Sequence, residues 1–313
     1  MKERINVLCA TDEHYAAYCG VMLTSLLENN KNNFISIYIV GDSLSNEIID
    51  RFKTLTESYN ADIQIIPPPS SMFADCPIRE GDYVSTATYY RIACGDILPD
   101  SVNRLIYLDC DILVNTDLND LWNYDLGEAP CGAVIDSYHY DSQNRLKLNS
   151  TYFNAGVLLI NVDYFRKNNV IQQCFNVLQE NPDRIKMHDQ DLLNIVIGDK
   201  VKLLPVRFNM LSAFLRTDHC GQPISEKMQD EIIAAVQRPQ DLIIHFEYFP
   251  KPWQKGAMIQ HPFAELWDSY RVKSLWKNST KIYKAPLKIK ARNCIMYILW
   301  FFKIKKKPKY YLI

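Results

Sequence analysis

The first 66 residues alternate between short runs of apolar, β-branched residues and longer segments whose apolar positions recur every three or four residues. Short runs of this kind predict strands, and the longer segments predict helices. In chain order they give a strand at 5–11, a helix at 17–28, a strand at 35–40, a helix at 47–59 and a strand at 62–66. This β-α-β-α-β order favours an α/β fold with a largely parallel sheet.

The same two patterns continue beyond the three prolines at 67–69, which end the third predicted strand and open a loop. Further strands are predicted at 104–108, 132–135, 157–162, 201–204 and 242–245, and further helices at 85–94, 170–179, 190–197 and 225–236. The first of these strands runs directly into an acidic sequence. In open α/β sheets ligands bind beyond the carboxyl ends of the strands, so we expect chemistry at that point.

Glycine usage excludes the two common phosphate-binding loops. The chain has only 10 glycines, and no two of them are separated by a single residue. Neither the G-x-G-x-x-G dinucleotide fingerprint nor the G-x-x-x-x-G-K loop is therefore present. Any phosphate bound by this protein must be held by a metal ion or by side chains.

The cysteines and the apolar runs predict a reducing, cytoplasmic location. The nine cysteines are scattered, and the two nearest in sequence, Cys9 and Cys19, are ten residues apart. This spacing matches no disulfide framework or zinc motif. The N-terminal residues predict a first strand rather than a signal peptide. The longest uncharged apolar run, at 294–302, has nine residues and is too short to span a bilayer.

The charges divide the chain at about residue 270. No acidic residue follows Asp268, whereas 13 basic residues do, so residues 1–268 carry 22 basic against 36 acidic groups. We therefore predict an acidic catalytic domain at 1–270 and a basic, aromatic tail at 271–313. Within the tail, apolar residues recur at helical spacing: Leu287, Ala291, Cys294, Ile298 and Phe302. This pattern is typical of a helix lying on an anionic membrane; the alternative is a solvated basic tail whose apolar run packs on the body.

The sequence Asp109-Cys110-Asp111 is the first candidate site. Side chains two residues apart on an extended segment share a face, so both carboxylates could reach one hard divalent cation. Solvated acids that cap a strand are the alternative. A calcium-binding loop is excluded, because its sixth position would be Val114 instead of glycine and its twelfth Asp120 instead of glutamate.

His245 ends the predicted strand at 242–245 and is the second candidate, with Lys251 six residues later. Considered alone, His245 is more readily interpreted as a histidine of the buried core. Beside two aspartates, an imidazole would favour Mn²⁺ over Mg²⁺, and Lys251 could neutralise a diphosphate.

Three further polar segments are each ambiguous alone. After the first strand, Asp12 and Tyr15 could hold a nucleoside, or Asp12 could simply begin the next helix. The small residues Ala155 and Gly156 permit a ligand to approach the backbone closely. Asp189 and Asp191 could bind sugar hydroxyls. Alternatively, Asp189 could cap a helix and Asp191 could interact favourably with the helix dipole in its first turn.

Taken together and in this order, these segments resemble the family 8 glycosyltransferases, most closely the bacterial galactosyl- and glucosyltransferases that build lipopolysaccharide. The matching stretches are 10–18, 88–92, 104–116, 121–126, 152–161, 189–194, 207–209 and 245–253. The resemblance implies a GT-A fold, a UDP-sugar donor and a retaining reaction. It also implies a bound divalent metal, Mn²⁺ or alternatively Mg²⁺.

The resemblance also assigns roles residue by residue. Asp109, Asp111 and His245 would bind the metal, and Lys251 the diphosphate. Thr11, Asp12 and Tyr15 would hold uridine. The donor sugar would be lined by Arg91, Asp136, Asn154, Ala155, Asp189 and Gln190. Tyr248 stands where the family often has glycine, so its side chain would remove a backbone contact or narrow the pocket.

An amide is a poor nucleophile, so we favour a front-face substitution in which Gln190 stabilises positive charge at the anomeric carbon. A double displacement through a carboxylate, with Asp191 nearest in sequence, is the competing mechanism. The expected partners are a UDP-hexose, a glycan or glycolipid acceptor and, through the tail, the inner face of the cell membrane. Alternatives are a self-glucosylating primer protein, a nucleic-acid-binding protein that uses the basic tail, and a non-catalytic nucleotide-sugar binder; the −14 charge of residues 1–268 argues against nucleic acid.

Overall fold

The computed structural model describes residues 4–68, 72–73, 76, 86–219, 222–247, 251–255, 260–278, 283–284, 291, 295–296, 298–299 and 309–311. The strands in these ranges are β1 (Arg4–Asp12), β2 (Phe34–Asp42), β3 (Ala61–Ile66), β4 (Arg104–Leu108), β5 (Ile112–Asn115), β6 (Cys131–Ile135), β7 (Phe153–Asn161), β8 (Lys202–Leu203), β9 (Met210–Leu211), β10 (Leu242–His245), β11 (Gln254–Lys255) and β12 (Tyr283–Lys284). The α-helices are α1 (Ala16–Asn29), α2 (Asn46–Thr56), α3 (Cys94–Ile97), α4 (Asn119–Trp122), α5 (His139–Leu146), α6 (Val162–Lys167), α7 (Val170–Glu180), α8 (His188–Ile197), α9 (Glu226–Val236) and α10 (Ala264–Lys273). Short 3₁₀-helices include Thr86–Ala93 and Val206–Asn209.

The central sheet has seven strands in the order β3-β2-β1-β4-β7-β6-β8. Strands β1 to β4 run parallel, with α1 and α2 as the crossovers that parallel neighbours require. β7 runs antiparallel to both β4 and β6, so the expected α/β fold is confirmed with a mixed sheet. β7 is buried along almost its whole length. A fully buried strand is apolar throughout whichever way it runs, so its sequence does not reveal that it is antiparallel.

The two faces of the sheet bury two separate apolar cores, because successive side chains on a strand point to opposite faces. Val7 and Cys9 of β1 face the core formed by α1, α9, α10 and a second sheet, in which β10 lies between β5 and β9. Leu8 faces the other core, where the 3₁₀-helix Thr86–Ala93 packs with α3, α6, α7 and α8.

The strand topology brings several chain segments to one edge of the sheet. β1 and β4 end there, and antiparallel β7 begins there, with Val157 opposite Leu108. The chain turns after β4 into β5, whose first residue, Ile112, pairs with His245 at the end of β10. The carboxyl ends of β1, β4 and β10 therefore converge on one region.

Most predicted elements agree with the structure within a few residues, and the differences have local causes. The helix predicted at 85–94 is largely a 3₁₀-helix, and the strand predicted from 157 begins at Phe153. The polar helix α5 follows a turn in which the Asp136 carboxylate accepts the backbone N–H of Tyr138 at 2.8 Å. Because α5 has no continuous apolar stripe, hydrophobic periodicity did not reveal it.

Residues beyond 270 reach back into the body at several places, and one of them is the pairing of β12 with β11. The indole of Trp276 is 1% exposed and lies in the core that includes α1. A Cβ on Gly20 would come within 2.2 Å of this ring, so the absence of a side chain makes room for it. Near the C-terminus, the backbone of Tyr311 donates to the carbonyl of Leu215 at 2.9 Å. The division at residue 270 remains a prediction.

The predicted tail helix lies mostly outside the described residues, as does Tyr248. Ala291, Ile295, Met296, Ile298 and Leu299 have helical backbone, and the Ile295 and Ile298 side chains are more than half exposed. None of the helices formed by the described residues has the length and apolar character needed to cross a bilayer.

Replacement of Trp276 tests the packing of this C-terminal segment. Trp276→Ala should lower the free energy of unfolding by about 3–5 kcal/mol, because it leaves a cavity against α1. The neighbouring Leu275 is 45% exposed, so Leu275→Ala should change the free energy of unfolding by less than about 0.5 kcal/mol. Urea unfolding followed by circular dichroism measures both, and equal values for the two variants would contradict the packing.

Candidate active site

A cavity of about 260 Å³ opens at the edge of the sheet where β1 and β4 end. It brings together residues that are far apart in sequence. Its lining residues are Ala10, Thr11, Asp12, Tyr15, Ala87, Thr88, Arg91, Tyr107, Asp109, Cys110, Asp111, Glu247 and Lys251. Seven of the fourteen residues predicted for the site therefore contribute directly to one cavity wall: Thr11, Asp12, Tyr15, Arg91, Asp109, Asp111 and Lys251.

Two carboxylates and an imidazole converge beside this cavity. Ligand atoms of Asp109, Asp111 and His245 all lie within 4.8 Å of one another. His245 Nε2 is 3.3 Å from Asp111 Oδ1 and 3.9 Å from Asp109 Oδ2. The two aspartates lie on a turn between β4 and β5, not on an extended strand, and the turn still directs both towards His245.

The orientation of His245 suits metal binding. Its Nδ1 lies 3.0 Å from Asn209 Oδ1, an oxygen that can only accept, so Nδ1 carries the hydrogen and Nε2 presents its lone pair to the acids. Two carboxylates and one neutral imidazole are a donor set that suits Mn²⁺. A Cβ on Gly156 would lie 2.2 Å from His245 Cε1, so glycine is required for this approach.

Lys251 and His245 compensate the negative charge of Asp111. Lys251 Nζ lies 2.6 Å from Asp111 Oδ2. Burial alone would raise the pKa of Asp111, but the charges of Lys251 and His245 hold it well below its usual range. Burial alone would lower the pKa of His245, but the Asp111 carboxylate leaves it raised. The side chains of Asp111 and His245 therefore each stabilise the charged form of the other.

Arg91 links the metal-type cluster to a second buried carboxylate. Its Nη2 lies 2.9 Å from Asp109 Oδ1, and its Nε lies 2.7 Å from Asp189 Oδ2. The guanidinium carbon sits 4.3 Å from the centre of the Tyr107 ring, and the Tyr107 hydroxyl donates to Asp109 at 2.9 Å. Burial raises the pKa of Asp189 although Arg91 opposes that shift.

Gln190 is held in one orientation next to the cavity. Its Oε1 accepts the backbone N–H of Ala155 at 2.9 Å, and its Nε2 donates to Asp136 at 3.2 Å and to the Tyr152 hydroxyl at 3.1 Å. Asn154 also donates to Asp136, at 3.0 Å. The residues predicted to line the donor sugar thus form one connected hydrogen-bond network.

Asp191, the nucleophile considered from the sequence, is held by an ion pair and several hydrogen bonds. Its side chain is fully buried and pairs with Arg145 through two 2.8 Å contacts. It also accepts from the Tyr152 hydroxyl and from the backbone N–H groups of Lys186 and Met187. Burial alone would raise its pKa, but these donors leave the pKa lowered. The carboxylate is committed to holding the start of α8, so we do not assign it to catalysis.

The turn after β1 has the contact expected of a helix start, and nucleoside binding there remains a prediction. Asp12 Oδ1 accepts the backbone N–H of Tyr15 at 2.8 Å, which is the turn alternative, and both residues also line the cavity. The ring of Tyr15 packs against Tyr18, with the ring centroids 4.9 Å apart, and its edge approaches Trp253.

No role could be assigned from the sequence to Glu247 or Thr88, two polar residues of the cavity wall. Glu247 lines the cavity and accepts the backbone N–H of Ser212 at 2.8 Å, which ties the chain after β9 to the chain after β10. Thr88 donates to Asp189 at 2.6 Å. Neither position has a local signal, because each partner is distant in sequence.

The model of the family described as Glycosyl transferase family 8 matches residues 6–257. The chain belongs to this family. It is 27% identical over 281 residues to General stress protein A of Bacillus subtilis (strain 168), an alignment that covers 88% of this chain and 95% of that protein. It is 26% identical to a lipopolysaccharide 1,2-glucosyltransferase of Escherichia coli, over 88% of this chain and 80% of that one.

The fold is also that of a solved glycosyltransferase. A crystal structure of the galactosyltransferase LgtC, in complex with donor and acceptor sugar analogs, superposes with a TM-score of 0.75. The alignment covers 92% of this chain and 100% of that chain at 22% sequence identity. The expected GT-A fold is therefore confirmed.

The orientation of His245 predicts an outer-shell effect on metal affinity. Asn209→Ala removes the acceptor for the imidazole Nδ1–H and should weaken Mn²⁺ binding about 10- to 100-fold. Asn115 likewise makes two side-chain hydrogen bonds, at the far end of β5, so Asn115→Ala is a matched control that should leave the affinity unchanged. Titration of free Mn²⁺ by electron paramagnetic resonance measures both, and equal affinities would contradict the role of Asn209.

Proposed function

We propose that this protein is a retaining hexosyltransferase that moves galactose or glucose from a UDP-sugar to a saccharide acceptor. The observation that carries the proposal is the convergence of Asp109, Asp111, His245 and Lys251 at the cavity of a family 8 glycosyltransferase. The chain has no glycine-rich phosphate loop. A cation held by three side chains, together with Lys251, would supply the positive charge that a diphosphate needs.

The three metal-type ligands define what a divalent ion would contribute. Held by Asp109, Asp111 and His245, Mn²⁺ would act as a Lewis acid that stabilises the charge of the departing diphosphate. Lys251 now pairs with Asp111 and lines the cavity. When a diphosphate binds, the Lys251 ammonium would turn partly from Asp111 to the phosphate oxygens. Thr11, Asp12 and Tyr15 would bind the uridine at the end of β1.

The donor sugar would lie against the network around Gln190. Arg91, Asp136, Asn154, Ala155 and Asp189 belong to this network or contact it. Three hydrogen bonds hold the Gln190 amide in place. Its fixed dipole could therefore stabilise positive charge that develops at the anomeric carbon.

The contacts of the neighbouring carboxylates argue against a covalent intermediate and favour attack on the same face of the sugar from which UDP departs. Asp189 is paired with Arg91, and Asp191 is saturated by Arg145, Tyr152 and backbone donors. Neither is free to form a covalent glycosyl intermediate. The acceptor hydroxyl would attack from the side on which UDP departs, and the anomeric configuration would be retained.

The names of similar proteins narrow the substrate class. One relative is a lipopolysaccharide 1,2-glucosyltransferase, and one solved structure with this fold is a galactosyltransferase. We infer lipopolysaccharide or another cell-surface glycan as the acceptor. The basic, aromatic tail would hold the enzyme at the cytoplasmic face of the membrane that carries such an acceptor.

A panel of UDP-sugars tests this function directly. UDP-galactose or UDP-glucose should release UDP in the presence of Mn²⁺, and nuclear magnetic resonance should show an α-linked product from the α-linked donor. Asp111→Asn should abolish release, because it removes a ligand and a charge together. Asp120 is an exposed acid paired with Arg207, so Asp120→Asn should keep full activity. Full release in excess EDTA, or a β-linked product, would refute the proposal.

The role of the tail is tested by removing charge while keeping the chain. Lys303, Lys305, Lys306 and Lys307 changed together to glutamine should lose about 1 kcal/mol of binding to anionic vesicles per lysine, while UDP release stays unchanged. Lys31, Lys53, Lys200 and Lys227 are exposed on the body, and the same change there is the matched control. If both variants co-sediment with vesicles equally well, the tail does not anchor the protein.

A further inference from the structure

Three thiols cluster directly beneath the donor cavity. Cys9 lies in β1 and Cys19 in α1, and their sulfur atoms are 3.6 Å apart. Cys110 lies between the metal-type ligands Asp109 and Asp111, and its Sγ is 3.1 Å from the carbonyl oxygen of Ala10. All three cysteines are buried as free thiols and belong to one core cluster. Neither the fold nor the proposed transfer reaction uses them.

The three thiols differ in their access to solvent. Cys110 lines the cavity and is 7% exposed, whereas Cys9 and Cys19 are fully buried. Among the cysteines in the described ranges, Cys76, Cys94, Cys131 and Cys174 do not line this cavity. A small solute that enters the cavity therefore meets Cys110 first, and the buried pair lies behind it.

Contacts within the cluster favour Cys9 as the thiol that reacts next. Hydrogen bonds from Cys110 and Cys19 lower the pKa of the Cys9 thiol, whereas burial raises the pKa of the Cys19 thiol. Each of the three thiols contacts the other two, and of the three only Cys110 lines the cavity. The nucleophile in disulfide chemistry is the thiolate, so Cys9, whose thiol pKa is lowered, is expected to attack an oxidised Cys110.

We propose that Cys9, Cys19 and Cys110 form a redox modification site in which a hydroperoxide oxidises Cys110 and the buried thiols convert it to a disulfide. In the first step the Cys110 sulfur takes the terminal oxygen of hydrogen peroxide, giving a sulfenic acid and one water. In the second step Cys9 attacks that sulfur, an S–S bond forms, and the hydroxyl leaves as a second water. Cys19 also contacts Cys110 and can take the same role when Cys9 is absent.

A disulfide at this position would change the geometry of the donor site. Cys9 is followed by Ala10 and Thr11 of the cavity wall, and Cys110 separates Asp109 from Asp111. β1 and β4 are paired neighbours, so a bond between them just beyond the last paired residues would pull these two walls together. This consequence rests on the proposed function: oxidised protein would bind UDP with Mn²⁺ more weakly, and a thiol reductant would restore binding.

The experiment treats the full-length, metal-free protein with hydrogen peroxide, blocks the remaining thiols and maps disulfides by mass spectrometry. Chymotrypsin is suitable because cleavage after Tyr15 or Tyr18 separates Cys9 from Cys19. The wild type should lose two thiols to one disulfide within the cluster. Cys110→Ala should form no such disulfide under the same exposure, because the buried pair is shielded. The double variant Cys9→Ala/Cys19→Ala should accumulate a sulfenic acid at Cys110 that dimedone traps.

Cys174→Ala is the matched control, since Cys174 is a fully buried cysteine on α7 outside the cavity wall. It should form the cluster disulfide at the wild-type rate. The proposal would be overturned if every disulfide formed joined a cluster cysteine to a cysteine outside the cluster. It would also be overturned if sulfinic acid at Cys110 were the sole product. Formation of the disulfide in Cys110→Ala at the wild-type rate would overturn it as well.

Calorimetry with UDP and Mn²⁺ tests the consequence separately. The oxidised wild type should bind UDP at least about tenfold more weakly than the reduced protein, with recovery after dithiothreitol. Unchanged affinity after complete disulfide formation would refute the coupling to the donor site. If the reduced protein itself failed to bind UDP, the proposed function would fall, while the disulfide map would still decide the thiol chemistry.

Discussion

The site depends on the compensation of buried negative charge at one edge of the sheet. Asp109, Asp111 and Asp189 lie close together there, and removing carboxylates from water is costly unless cations and donors replace the water. Arg91 contacts two of these acids, and Lys251 contacts the third. Arg91 is itself 5% exposed and rests on the Tyr107 ring, so its position is fixed by the core.

This arrangement depends on the reversed strand β7, which lies next to β4 in the sheet. β7 pairs antiparallel with β4, which brings Gly156 beside Asp109, and the Asp109 backbone donates to the Gly156 carbonyl at 2.9 Å. Because Gly156 has no side chain, His245 of β10 can approach the acids closely. A parallel strand at that position would begin at the far edge and could not supply Phe153 to Gly156 to the site.

Hydrophobic periodicity was sufficient for the strands β1, β2, β3, β4 and β10, because each is a short buried run bounded by turn residues. The acidic turn and His245 were also recognisable, since both stand at the carboxyl ends of predicted strands, where ligands bind in open α/β sheets. The partners of Gln190 and Asp191 were not, because both lie on the first turn of α8 and differ only in what they meet across the fold. Asn209 and Cys19 likewise gain their positions through contacts with distant segments, which no local pattern encodes.

Long-range pairing also determines where the basic tail leaves and rejoins the body. Trp276 is buried against α1 at one end, and Tyr311 pairs with Leu215 at the other. Leu215 follows Ser212 and Ala213, whose backbone N–H groups bind Glu247 at the cavity wall. Between these two contacts, Tyr283 and Lys284 also pair with Gln254 and Lys255, a few residues after Lys251 of the cavity wall. These contacts tie the tail to the chain segments around the cavity, so a membrane that bound the tail as proposed would also hold the cavity near its surface.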